Sequence, residues 1–163
     1  MIRELEDVIG YRFQNISLLQ NALAHSSYAN ERWHNSVMSN ERLEFLWHSI
    51  LGMVVAEDLY RTFPERPEGE LTRIRADLVC EKTLAAVAAH IGLGKHLLLG
   101  HGEEQGGGRT RSSILADAVE SVIAASYLDG GFAAAKGIID RLILCDVPEK
   151  KPHNMDYKTA LQE

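Results

Sequence analysis

Apolar residues recur along most of this chain at the three-to-four-residue spacing of helices, with no sustained two-residue alternation. The spacing predicts a short amphipathic helix from Arg3 to Ile9 and a second through Leu18, Leu19, Leu23 and Ala24, which Asn15 or Ser17 can cap. Between them Gly10-Tyr11-Arg12-Phe13 turns the chain and supplies two aromatic rings to the core. His25-Ser26-Ser27-Tyr28 ends the second helix, and the polar, irregular residues 29–39 read as a surface loop. Ser39 or Asn40 then caps a long helix with an apolar stripe of Leu43, Leu46, Ile50, Leu51 and Val54, running to about Phe63, where Pro64 stops it. After a loop at 64–69, Glu70 to Cys80 is helical with Leu71, Ile74, Leu78 and Val79 inward and Arg73 and Arg75 lateral. Glu81 to Ile91 is an alanine-rich helix ended by Gly92. Leu97-Leu98-Leu99 is a short apolar run, helix or strand. Residues 100–111 are glycine-rich and carry Arg109 and Arg111; such a loop before a helix can cradle phosphate, although a flexible linker is its commoner meaning. A nearly all-apolar helix from Ser113 to about Asp129 and a last one from Phe132 to Leu144 complete an all-α fold.

Carboxylates on two of these apolar helices change the picture. Glu41, Glu44 and His48 sit at i, i+3 and i+7 and share one face beside the apolar stripe. Taken alone, that face reads as a polar helix edge with a satisfied histidine. Asp117 and Glu120 lie one turn apart on a helix that is otherwise apolar or small. Two acids so placed repel each other and lose hydration, so they require compensation. Arginines such as Arg73 or Arg75 are one source; a divalent cation is the better one. An oxygen-rich donor set suits magnesium or manganese over zinc or copper. If the two helices pack face to face, Glu41, Glu44, His48, Asp117 and Glu120 converge.

Composition narrows the class. With 163 residues and 45% hydrophobic content the chain is one domain, with at most a tail. Residues 1–145 form that domain, and 146–163 are a linker followed by the opening of a second one. The net charge of −6 and pI near 5.6 argue against gripping nucleic acid by bulk charge. Cys80 and Cys145 are too few for a disulfide scaffold and read as reduced thiols of a cytosolic protein. No apolar run reaches the length of a membrane span, and Met1-Ile2-Arg3-Glu4 opens no signal peptide.

Asn40-Glu41-Arg42-Leu43-Glu44-Phe45-Leu46-Trp47-His48-Ser49 resembles the signature of bacterial ribonuclease III, Asn-Glu-Arg-Leu-Glu-Phe-Leu-Gly-Asp-Ser, matching at eight positions and departing at two. A second block of that family, Ser-Ile-Leu-Ala-Asp-Ala-x-Glu, is intact at 113–120. Smaller matches are Gly10-Tyr11-x-Phe13, Ala24-His25-x-Ser27-Tyr28, Glu68-Gly69-x-Leu71 and Tyr-Leu-Asp-Gly-Gly at 127–131. The tail from Asp156 to Glu163 resembles the start of the family's double-stranded RNA-binding domain. The resemblance implies the helical fold of the ribonuclease III endonuclease domain and a homodimer with two sites along a shared valley. It further implies a magnesium-dependent cut of double-stranded RNA, for rRNA or mRNA processing, that leaves 5′-phosphate and 3′-hydroxyl ends. Carried over by position, Glu44, Asp117 and Glu120 would hold the metal, Glu41 would lie near the site and the dimer contact, and Glu68 would line the cleft. Arg73, Arg109 and Arg111 are candidates for RNA-backbone contacts.

The departure falls in the site. The family has Gly-Asp where this chain has Trp47-His48, so a fourth core acid is replaced by an imidazole. Imidazole is a poor magnesium ligand and a better one for manganese, cobalt, nickel or zinc. Trp47 is expected either to crowd the metal pocket or to fill the dimer interface. Three readings stay open at this point: a weakened endonuclease with His48 still in its catalytic set, a site tuned to a softer metal through His48, and a non-catalytic dimeric RNA-binding or scaffolding module. A carboxylate–histidine di-metal bundle is a fourth, but such bundles use Glu-x-x-His, which Glu44 and His48 do not form.

Overall fold

The computed structural model of the chain describes residues 1–146. From residue 147 on, the expected linker and second-domain start lie outside the described residues. The architecture is helical: α1 (Ile2–Ile9), α2 (Ile16–Leu23), α3 (Ser26–Tyr28), α4 (Glu41–Thr62), α5 (Glu68–Val79), α6 (Glu81–His90), α7 (His101–Gln105) and α8 (Ser112–Leu142). Helix α8 is the axis, and α2, α4 and α6 pack along it. It suits that place because Ala116, Ala118, Ala124, Ala125, Ser121 and Ser126 are buried small residues over which neighbouring helices approach closely, while Val119, Val122 and Ile123 fill the gaps between them. By length and composition α8 is apolar enough to cross a membrane. That corrects the sequence expectation of no such run; the apolarity here serves burial inside the bundle, and Asp117 and Glu120 interrupt it.

The break expected between 113–129 and 132–144 is present inside α8: Gly131 leaves helical geometry, with a positive φ of 77° that favours glycine. Beside it, a Cβ on Gly130 would sit 2.2 Å from Tyr11 Oη. That hydroxyl donates to Asp129 Oδ2 at 2.6 Å, and the same carboxylate accepts from the backbone N–H groups of Gln14 and Asn15, both at 2.8 Å. Asp129-Gly130-Gly131 therefore ties the α1–α2 turn onto the middle of α8, and the Tyr11 hydroxyl, half-buried against that carboxylate, has its pKa pushed up to about 12.

Residues 29–39, expected as loop, form a π-helical turn at Ala29–Trp33 and a 3-10 turn at Ser36–Met38. Leu98 makes a single parallel bridge to Ala24, with N–H···O distances of 2.9 and 3.0 Å, so the 97–99 run is a brief strand-like contact. The glycine-rich stretch, for which the sequence offers a flexible linker as the commoner meaning, is folded. It folds into α7 and a 3-10 turn at Gly108–Thr110, held by its own charges. Arg109 donates to the Gly94 and Leu97 carbonyls at 2.8 Å and pairs with Glu104, and Arg111 pairs with Glu103.

Candidate metal centre

The site is set by how α4 begins. Asn40, at the N-cap, donates its side chain to Ala22 O (3.1 Å) and its backbone N–H to Ala24 O (2.9 Å), fixing the start of α4 to the end of α2. Ser121 Oγ on α8 lies 3.2 Å from Asn40 O and 2.8 Å from Asp117 O, sharing its proton between the two helices. The first turn of α4 is thereby held against the second turn of α8. Glu44 extends across the seam and meets Asp117 and Glu120. One carboxylate oxygen from each of the three lies within 4.8 Å of the others, and all three residues are half-buried.

Among the described residues no arginine pairs with Asp117 or Glu120, so the alternative to a cation, compensation by Arg73 or Arg75, is not what the structure has. Burial pushes the Asp117 carboxyl up to about 6, with the charges of Glu44, Glu81 and Glu41 adding to the effect. Burial likewise raises Glu120 to about 7, reinforced by Asp117 and Glu44. Only the Trp47 indole, donating toward Glu120, pulls the other way. Three hard oxygen donors, converging, partly dehydrated and mutually repelling, could together hold a divalent cation. The residues present fit such an ion.

A family model for ribonuclease-III-like domains matches residues 15–147. The protein is 45% identical over 161 residues to Ribonuclease 3 of Syntrophotalea carbinolica, covering 98% of this chain and 69% of that one. It is 47% identical over 165 residues to Ribonuclease 3 of Oleidesulfovibrio alaskensis, covering 100% of this chain and 72% of the other. The chain belongs to the ribonuclease III family of endoribonucleases. Its fold matches the nuclease domain of ribonuclease III from Campylobacter jejuni with a TM-score of 0.82 at 40% identity, over 91% of this chain and 99% of that one. The all-α expectation and the ribonuclease III resemblance both hold.

Against the sequence candidates, this ribonuclease III domain sorts its residues clearly. Glu44, Asp117 and Glu120 converge. His48 is exposed and stands outside that group, although its i+4 spacing from Glu44 puts it on a neighbouring part of the same helix face. Trp47 takes the inward position instead: it is only 1% exposed and part of the core. It therefore does not fill a dimer interface. Glu41 is exposed, adds to the field on Asp117, and lines an apolar depression with Phe45 and Leu128. Glu68 is exposed at the first position of α5. Arg73 is exposed on α5, whereas Arg109 and Arg111 are committed to the 100–111 fold described above. The sequence reading missed Glu81. It opens α6, which packs along α8, and its charge acts on Asp117 more strongly than that of Glu41. No spacing rule could reveal it, since the proximity arises from α6–α8 packing across 36 positions of sequence.

Proposed function

We propose that this ribonuclease III-type enzyme cleaves double-stranded RNA as a homodimer, with Glu44, Asp117 and Glu120 holding a magnesium ion. The observation that carries the reading is the convergence of three half-buried carboxylates, of which Asp117 and Glu120 have no ion pair among the described residues. A bound divalent ion lowers the pKa of water and neutralises charge on the phosphate. The chain's own residues supply the rest. Glu44 comes from α4 and the other two acids from α8, so the donor set is fixed by helix packing before any ligand arrives. All three acids are only half-buried, so the group keeps contact with solvent. Attack of water on phosphorus with cleavage of the P–O3′ bond leaves a 5′-phosphate and a 3′-hydroxyl. In this reading Glu68 and Arg73, both exposed on α5, serve as the cleft acid and a contact to the RNA backbone. Recognition rests on the shape of the A-form duplex.

Support for the homodimer comes from an exposed apolar surface around the start of α4. Phe45 is 81% exposed beside a depression lined by Leu18, Val37, Met38, Leu46 and Leu128. A phenylalanine left in water next to an apolar hollow marks a protein interface. The Campylobacter jejuni nuclease domain has a region involved in dimer formation. Glu41 borders the same hollow and acts on Asp117, so pairing through this surface would bring each dimer contact close to a metal centre. The absence of a disulfide between Cys80 and Cys145 fits a cytoplasmic location.

A second reading has its own observation. His48 stands where the family signature has an aspartate, and it lies outside the carboxylate group. With one acid fewer, the same fold would serve as a non-catalytic RNA-binding or scaffolding dimer. Cleavage of a long RNA duplex at low salt separates the two. The expected result is cutting in Mg2+ or Mn2+ that Glu120→Gln abolishes. Cutting by His48→Asp alone would establish the non-catalytic module.

A further inference from the structure

A cavity of about 470 Å3 opens between α2, α3 and the 3-10 turn at Leu93–His96, and none of the metal-centre acids lines it. That volume is in the range of small-ligand pockets. The rings of Tyr28 and Trp33 line it beside the buried Leu23. Lys95, His96 and Arg109 line it as well, and no acid does, although the whole protein carries a net charge of −6. Aromatic rings with cations and no acid suit a flat ligand that carries negative charge. Trp33 is 39% exposed, and its ring meets that of Tyr28 edge to face with centroids 5.2 Å apart. Such a contact occupies an edge or one face of the indole, so at least one face stays available for stacking. The backbone fixes this placement. Helix α3 passes into the π-helical turn at Ala29–Trp33, which the His34 N–H closes by donating to Ala29 O. His34 takes a φ of 49°, the one positive φ of a non-glycine residue among the described residues, so the turn directly after Trp33 holds a costly conformation. Lys95 pairs with Glu4 at 3.4 Å, but both side chains are well exposed, and a phosphate can displace so weak an ion pair. Arg109 donates to the Gly94 and Leu97 carbonyls and to Glu104, so it shapes the wall without lending its charge. Burial, with the charge of Lys95, pushes the His96 pKa down, so at neutral pH its ring offers one donor and one acceptor.

We propose that this cavity binds an unpaired nucleotide of an RNA strand, its base stacked on the Trp33 indole, its base edge towards His96 and its phosphate paired with Lys95. The inference adds a second RNA contact to the proposed duplex cleavage and rests on the reading that RNA is the ligand. Single-stranded RNA is bound by this combination elsewhere: an aromatic face accepts any base, and a nearby cation holds the backbone. Bases inside an A-form duplex stack on one another and leave no face for an indole, so the cavity selects unpaired over paired RNA. Its place in the reaction is to hold single strand flanking a duplex, at an end or a loop, while the duplex itself meets the carboxylates.

The test is binding of a short oligoadenylate to the whole chain at low salt in EDTA, which keeps divalent ions from the carboxylates. Anisotropy of a labelled oligonucleotide reads affinity, and tryptophan emission with an unlabelled one reads contact. The expected result is saturable binding that quenches Trp33, since Trp47 is only 1% exposed and out of reach. Affinity should fall about tenfold in Trp33→Ala. In Lys95→Ala it should fall with a salt slope smaller by about one. Lys95 is exposed, so this variant and the parent's emission decide the matter even if Trp33→Ala disturbs the packing on Tyr28. A duplex with a single-stranded extension should bind the parent more tightly than its blunt counterpart, and Trp33→Ala should bind both alike. Cleavage of the blunt duplex in Mg2+ should be the same in parent and variants. Absence of oligoadenylate binding, emission indifferent to bound oligoadenylate, or affinity unchanged in either variant overturns the proposal. If the parent still cuts blunt duplex in that case, the carboxylate centre stands. A parent that neither binds oligoadenylate nor cuts duplex overturns both readings.

Discussion

Replacing Glu120 by glutamine should stabilise the metal-free protein while destroying the enzyme. Burial and the charges of Asp117 and Glu44 raise the Glu120 carboxyl from 4.5 to about 7. A raised carboxylate pKa means that the folded state binds the proton more tightly than the unfolded chain. Stability from this group therefore falls as pH climbs from the unfolded value through the folded one, and stays low above it. At about 1.4 kcal/mol per pKa unit, ionising Glu120 in the folded state costs about 3 kcal/mol before solvent is considered. The residue is only half-buried, so water at the cleft reduces this to about 1–2 kcal/mol. Glutamine keeps the shape and an oxygen that can accept from Trp47 but removes the charge. For a domain of this size the gain corresponds to a rise of roughly 3–6 °C in melting temperature at pH 8 without metal. At pH 4.5, where the parent carboxyl is already protonated, the gain should vanish. Millimolar Mg2+ should reverse the order, stabilising the parent and not the variant, since only a ligand-competent site gains from binding. Cleavage of duplex RNA should fall by more than about a hundredfold, as expected for loss of a ligand when outer partners alone are worth up to that much. Differential scanning fluorimetry across pH, with and without Mg2+, reads every part of this. A variant no more stable than the parent at pH 8, or equally stabilised at both pH values, would refute the electrostatic account of the site.

Phe45→Glu puts a charge on the exposed rim of the apolar hollow; sedimentation should show monomer, with the monomer's own stability changed by no more than about 0.5 kcal/mol. Asp129→Ala removes the acceptor of three hydrogen bonds and should lower stability by about 2 kcal/mol, or roughly 4–8 °C in melting temperature, with Mn2+ affinity unaltered because the site is organised elsewhere. Arg109→Ala strands the Gly94 and Leu97 carbonyls and should destabilise by about 2 kcal/mol without changing duplex affinity. Arg73→Ala should leave stability unchanged and reduce the salt slope of RNA binding by about one, measured by filter binding between low and moderate salt.

Legibility of this fold from sequence followed the physics of each element. The long helices were readable because an apolar stripe at helical spacing has one stable interpretation, and Pro64 marked the end of α4 within two residues. The three-carboxylate group was also readable, because acids on an otherwise apolar helix violate the ordinary rule for buried surface and so call for a ligand. What failed was tertiary in origin. The irregular 29–39 stretch looked like loop, yet it forms a π-helical turn and a 3-10 turn against neighbouring elements. The arginines of the glycine-rich stretch looked available for phosphate, yet Glu103 and Glu104 in the same stretch neutralise them, a pairing that depends on α7 forming at all.

Trp47 and His48 show the same boundary at the scale of one residue. Spacing placed both near Glu44, and the family comparison marked both as departures, but it could not say which of the two enters the site. That depends on where α4 meets α8, which Asn40 and Ser121 set through a hydrogen bond 81 positions apart in sequence. With that seam fixed, the 100° turn between neighbouring residues sends the indole inward and the imidazole out. The departure that removes an acid at position 48 is therefore, in space, also the addition of a buried indole to the core at position 47.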